Sequence, residues 1–279
     1  MAKELLKMEG ITKIYSNGFM ANKDISFTVN EGEIHALIGE NGAGKTTLMK
    51  ILFGLEDCQQ GKIFIEGKEC HMENPLDAIA KGVGMVHQHF MLVPNLTVAE
   101  NVVLGIEPGP GQIFDKKTAI KMTEEASEKF QLKVDPNALV RDISVGLKQK
   151  VELLKALIRG VKVLILDEPT AVLTPQEVRE LFVQLKNLKE NGYGIIFISH
   201  KLDEVMELCD SATVLRHGRV SGFIKREDMD EKTLSRLIVG RDIVNSIEKD
   251  DASTGETILK IRNVSYVDDI GKKIVNDVS

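Results

Sequence analysis

The run Gly39-Glu40-Asn41-Gly42-Ala43-Gly44-Lys45-Thr46-Thr47 fits the pattern G-x-x-x-x-G-K-[ST], and the apolar run Ile34 to Ile38 before it reads as a buried strand. A glycine-rich turn that merely joins a strand to a helix needs neither a lysine nor a threonine at this spacing. A loop that cradles phosphate needs both. Gly39, Gly42 and Gly44 let the backbone curl so that successive N–H groups point inward, Lys45 reaches the β and γ phosphates, and Thr46 offers a hydroxyl to Mg²⁺. Asn41 and Thr47 are counted with the nucleotide-binding residues of the same run. The helix expected over Lys45 to Phe53 aims its positive end at the same anion.

A second landmark is Val163-Leu164-Ile165-Leu166-Asp167-Glu168. A buried strand ending in two carboxylates places them at its C-terminal edge, where open α/β sheets bind their ligands. Asp167 suits Mg²⁺, and Glu168 suits the polarisation of a water that attacks the γ phosphate. Further short apolar runs at 25–29, 63–65, 83–86, 195–198 and 212–215 read as strands. Thr97-Val98-Ala99-Glu100 and Thr174-Pro175-Gln176-Glu177 each fit a capping box that opens a helix. His217-Gly218 suggests a hairpin turn, and residues 97–160 read as helical without a strong strand. The expected architecture is therefore an α/β core carrying an inserted helical lobe.

Composition narrows the classes. At 279 residues, 43% hydrophobic and 28% charged, the chain has the make-up of a soluble globular protein with a sizeable core. A formal net charge of −6 supplies no global basic field, so nucleic acid is not the expected partner. Cys58, Cys70 and Cys209 are odd in number and far apart, which supports neither a disulfide framework nor a zinc site and points to a reducing cytosol. No stretch has the length of a signal peptide core or a membrane span, so any membrane role comes through a partner.

The order and spacing of the remaining motifs resemble the ATP-binding cassette (ABC) transporter ATPases over nearly the whole chain. Gln88, in Val86-His87-Gln88-His89-Phe90, matches the family's Q-loop glutamine, which senses Mg²⁺ and the membrane partner. His200, in Ile198-Ser199-His200-Lys201, matches the switch histidine that contacts the γ phosphate, and Tyr15 matches the aromatic that stacks on adenine. The signature usually written LSGGQ is replaced by Ile143-Ser144-Val145-Gly146-Leu147, keeping Ser144 and Gly146. Ser144 can still cap the helix that follows, and Gly146 still allows a phosphate to approach. Thr174 stands where the family usually has an aspartate, and is accounted for as a helix cap.

The resemblance implies a P-loop NTPase core, mainly a parallel sheet flanked by helices, with an antiparallel β subdomain and an inserted helical subdomain at about 92–160. It implies ATP and Mg²⁺ as cofactors. It also implies that the nucleotide held by one module is covered by Ser144 and Gly146 of another, either a second cassette in cis or a second copy in a homodimer. Residues 259–279 align without gaps on 6–26 at an offset of 253, and read as the start of a second cassette cut off before its phosphate loop. The expected domains are thus 1–240, a linker at 241–255, and 256–279.

Tandem cassettes together with the stretch Met85 to Pro94 resemble the energising subunit of sugar and nucleoside importers. Such a subunit lies peripherally on the cytoplasmic face of the membrane, works on permease subunits, and serves an extracytoplasmic solute-binding protein indirectly. Met91, Leu92, Val93 and Leu96 read equally as contacts for the permease or as core of the helical lobe. The alternative, a soluble tandem cassette acting on ribosomes, calls for a long charged helical linker, and residues 241–256 read instead as a short loop.

Overall fold

A strand covered on both faces cannot alternate apolar with polar residues, and the three continuous apolar runs become the buried middle of a sheet. β3 (Ile34–Ile38) and β8 (Gly194–Ile198) are buried at every residue, and β7 (Val163–Asp167) at all but its last. With β6 (Val83–Val86), β9 (Ser211–Arg216) and β10 (Arg219–Lys225) they form a six-stranded sheet of order β10-β9-β3-β8-β7-β6. Its five pairings are parallel except β9 with β10, which are antiparallel and joined through His217 and Gly218 at φ 50° and 71°. This is a computed structural model, described over residues 3–111, 113–240, 255–268 and 271–279. It divides into two compact units, 1–243 and 244–279.

Within the first unit a four-stranded antiparallel sheet is built from β1 (Glu4–Ile14), β2 (Met20–Asn30), β4 (Gln60–Ile65) and β5 (Lys68–Cys70), in the order β2-β1-β4-β5. Its buried residues Leu6, Met8, Ile11, Ile25 and Phe27 share one core with Leu48, Met49 and Leu52 of α1 (Lys45–Leu52). The helix that follows the phosphate loop is thereby packed between the two sheets' residues and held in place. Strand β1 was not among the expected runs: its apolar positions are broken by Lys7, Gly10 and Lys13, and its pairing with β2 shifts register three times between Met8 and Ile14.

The remaining helices of this unit are α2 (Pro75–Ala80), α3 (Val98–Val102), α4 (Lys116–Lys129), α5 (Val145–Leu157), α6 (Pro175–Glu190), α7 (Leu202–Leu208) and α8 (Glu231–Val239). Both expected capping boxes form, Thr97 with Glu100 on α3 and Thr174 with Glu177 on α6. Between 97 and 160 the described residues hold three α-helices and a 3₁₀ turn, and their only strand-like pairing is the bridge Thr97 to Leu139. No helix of the described residues is long and apolar enough to cross a membrane.

The second unit is an antiparallel hairpin of β11 (Val264–Val267) and β12 (Lys273–Val278). Its register is Val264 with Val278, Tyr266 with Val275 and Val267 with Lys273. At the offset of 253 these are the pairs Ile11 with Ile25, Lys13 with Asn22 and Ile14 with Met20 of the first hairpin. Local detail repeats too: Asn263 and Asp277 adopt φ 52° and 49°, as Gly10 and Asp24 adopt 63° and 51°. The Asp277 N–H donates to Ser265 Oγ at 2.9 Å, as the Asp24 N–H donates to Thr12 Oγ1 at 3.0 Å. Of the linker expected at 241–255, all but Gly255 lies outside the described residues.

Candidate functional site

At the C-terminal edge of the six-stranded sheet, the chain leaving β3, β6, β7 and β8 converges on one cavity of about 600 Å³. Every residue from Gly39 to Thr47 lines it, together with Gln88, Asp167, Glu168 and His200. Residues up to 161 positions apart in sequence are brought together because parallel strands end on the same side. The position next to two strand ends also explains the glycines. Gly39 has φ 151°, and a Cβ there would lie 2.2 Å from the Leu215 carbonyl oxygen; at Gly44, with φ 100°, it would lie 2.4 Å from that of Ala21. Neither position admits a side chain without moving backbone.

Among the described helices of eight or more residues, α1 alone begins without a side-chain cap. Asp115, Ser144, Thr174 and Asp230 cap the others, so the free N–H groups at the start of α1 are left for a ligand. Lys45 is 7% exposed, and its ammonium donates to the carbonyl oxygens of Gly39 at 2.7 Å and Glu40 at 3.1 Å. Burial lowers its pKa, against the pull of Glu168 and Asp167. Asp167 is shifted the other way: burial raises its pKa and the neighbouring Glu168 raises it further. Both shifts run towards the neutral form, and burial beside the cavity is the main cause of each.

Glu168 sits in the left-handed region at φ 47°. Its Oε1 lies 3.1 Å from His200 Nδ1, and its Oε2 accepts from Gln88 Nε2 at 3.2 Å. The carboxylate is therefore oriented from two sides, with its backbone N–H bound to the Ile198 carbonyl at 3.1 Å. A carboxylate held this way has the chemistry to accept a proton from a water in the cavity. For a hard divalent cation the donor set is Thr46, Asp167 and Gln88, all oxygen donors lining the cavity. No group of three His, Cys, Asp or Glu among the described residues is placed to hold a metal ion.

Three expected residues lie outside the lining. Tyr15 touches the site through its hydroxyl, 3.3 Å from Thr47 Oγ1. Ser144 and Gly146 stand at the start of α5, away from this cavity, where Ser144 Oγ accepts from the Leu147 N–H at 3.3 Å. The Gly146 N–H donates to Glu177 Oε1 at 3.0 Å, and a Cβ on Gly146 would meet that oxygen at 2.5 Å. Glu177 thus serves two helix starts, capping α6 through Thr174 and bonding the first turn of α5. Phe19, 55% exposed, lines the cavity and was not singled out in the sequence. Its place opposite Tyr15 in the β1–β2 turn, where the Tyr15 N–H is bonded to its carbonyl, exists only in the folded turn, so the sequence carries no local signal for it.

Residues 22–171 match the family model described as ABC transporter. The chain belongs to the ABC transporter family. It is 45% identical over 280 residues to the nucleoside import ATP-binding protein NupA of Lactococcus lactis, covering 100% of this chain and 55% of that one. To the glucose import ATP-binding protein TsgD13 of Haloferax volcanii it is 43% identical over 301 residues, covering 98% and 54%. The chain thus spans about half the length of these curated relatives. In fold it is similar to the crystal structure of the ADP conformation of MJ1267, an ATP-binding cassette of an ABC transporter, with a TM-score of 0.74 at 24% identity over 85% of this chain and 99% of that one. The P-loop NTPase core, the antiparallel sheet and the helices expected from the sequence are those of this cassette fold.

Proposed function

We propose that this chain binds and hydrolyses ATP to energise the import of a small solute, a nucleoside or a sugar, through separate permease subunits. The observation that carries the reading is the convergence of the phosphate loop, Asp167, Glu168, His200 and Gln88 on one cavity in a member of this family. The two relatives named above, one a nucleoside and one a glucose import protein, support the solute class.

The uncapped start of α1 and Lys45 receive the triphosphate, the ammonium exchanging its two carbonyl partners for phosphate oxygens. Glu168 takes the proton of the water that attacks the γ phosphorus, and ADP leaves as the bond to its β oxygen breaks. His200 and Gln88 orient Glu168, and His200 also reaches the γ phosphate. Thr46, Asp167 and Gln88 would hold Mg²⁺, which supplies charge neutralisation at the β and γ oxygens when bound. Ser144 and Gly146 act on the nucleotide of an opposing module, a second cassette in cis or a second copy. Residues 256–279 form the opening hairpin of such a second cassette, a reading supported by the shared register of the two hairpins.

Met91 and Val93 are exposed, at 56% and 40%, while Leu92 is partly buried against the core that the central sheet and the helices share. The sequence alternatives for this stretch therefore divide by residue. Met91 also lines a second cavity of about 150 Å³ with Phe53, Met85, His87 and Lys155 among others, and this face is where the permease would dock. The reading places the chain peripherally on the cytoplasmic face, with a solute-binding protein involved only through the permease. The test is the ATPase rate of the full-length protein with and without its membrane permease. A rise on adding the permease supports the proposal, and a response to ribosomes instead would overturn it.

A further inference from the structure

Lys13 is one of the few buried lysines, 7% exposed, and it belongs to none of the motifs read above. Its ammonium donates to the Asp57 carbonyl at 2.6 Å and pairs with Glu56 Oε2 at 2.9 Å, in the segment that leaves α1. It also lies over the ring of Tyr15, 5.2 Å from the centroid. The same ring is tied at its hydroxyl to Thr47 in the first turn of α1. Tyr15 is thus fastened at one end to the start of the phosphate-loop helix and on one face to a cation anchored just past its end.

An ion pair that merely joined the first hairpin to the segment after α1 would not need the ammonium on the ring. With a cation against one face, a flat ligand has only the other face to stack on, and the ring is ordered before the ligand arrives. Ordering a side chain in advance removes that cost from binding. We propose that Lys13 is a positioning residue for base recognition: acting through Tyr15, it sets affinity for the adenine half of the nucleotide and leaves the triphosphate half untouched. The inference rests on the assignment of Tyr15 as the adenine platform.

Affinities of the full-length protein for ATP and for inorganic tripolyphosphate separate the two halves. Lys13→Met is expected to weaken ATP about three- to tenfold, the worth of one pre-ordered side chain, while tripolyphosphate stays within about twofold. Lys13→Arg, which keeps the charge, should retain most of the ATP affinity. In a Tyr15→Ala background Lys13→Met should cost little more, because the residue acts through the ring. Equal losses for ATP and tripolyphosphate would reduce Lys13 to a structural ion pair and overturn the inference. So would an undiminished loss in the Tyr15→Ala background. If Tyr15→Ala weakens ATP but Lys13→Met does not, the inference alone fails; if Tyr15→Ala leaves the ratio of the two affinities unchanged, the adenine assignment fails with it. Should Lys13→Met not fold, Glu56→Gln loosens the same ammonium and is judged by the same ratio, with an expected loss of about twofold.

Discussion

The two edges of the central sheet carry polar clusters of similar size and opposite character. At the N-terminal edge, Glu33 accepts from the Asn30 N–H at 2.8 Å and from the Asn30 side chain at 2.7 Å, and its other oxygen meets His35 Nδ1 at 3.0 Å and the Ser211 hydroxyl. His35 Nε2 is 2.8 Å from Thr213 Oγ1, and Asp210 holds both the Ile34 N–H and Lys189. Burial alone would raise the Glu33 carboxyl, but the bonds from His35 and Ser211 outweigh it and bring the pKa down to about 2. At the C-terminal edge the shifts run against charge: Asp167 up and Lys45 down, both through burial. One edge is satisfied by the chain itself, whereas the other opens on a cavity and leaves the start of α1 without a side-chain cap. That contrast, more than the presence of charge, marks the functional end of the sheet.

Substitutions at the two edges should therefore separate activity from stability. The largest effect is expected from Glu168→Gln, which keeps ATP binding and slows hydrolysis by about 100-fold or more, the value of a positioned base. A single-turnover assay checks it, and near-normal turnover would move the base elsewhere. Glu33→Gln should lower the stability of the empty protein by on the order of 3 kcal/mol at pH 7 and leave nucleotide affinity alone. Because Glu33 titrates lower in the folded protein than its ordinary 4.5, its contribution is complete above that pH and is lost as pH falls towards about 2. Denaturation of wild type and variant should thus converge over that window. Asp167→Asn should do the reverse at neutral pH. The raised pKa means its charge opposes folding of the empty chain, so its melting temperature holds or rises by about a few degrees while thermal protection by ATP with Mg²⁺ is lost. The smallest effect is expected from Thr97→Ala, about 1 kcal/mol of stability from a lost cap on α3, with ATP affinity unchanged.

Much of the C-terminal edge is legible in the sequence because its chemistry is local. The phosphate loop follows β3 without a gap, and Asp167 and Glu168 end an apolar run, so strand end and functional group are read together. The capping boxes at Thr97 and Thr174 are legible for the same reason, since donor and acceptor lie three residues apart. What stays hidden depends on contacts between distant segments. Strand β1 is recognisable as a strand only once β2 and β4 pair with it, and Phe19 matters only because its turn folds over the phosphate loop. The bond from Gly146 to Glu177 crosses 31 residues, and no spacing rule announces it. The N-terminal cluster was missed altogether, because Glu33 and His35 meet Ser211 and Thr213 across strands that adjoin only in the folded sheet. The second hairpin shows the reverse: its resemblance to the first is modest in identities, yet the register repeats pair for pair.

On the proposed function, a nucleoside triphosphate held by Lys45 and the start of α1 completes the C-terminal edge. Calorimetric titration of ATP with Mg²⁺ into the wild-type protein and Lys45→Ala tests it most directly. The wild type should show saturable one-site binding and the variant a loss of about 30-fold or more, corresponding to roughly 2 kcal/mol for charged hydrogen bonds to phosphate. Equal affinity in the two proteins, or no binding by the wild type, would contradict it.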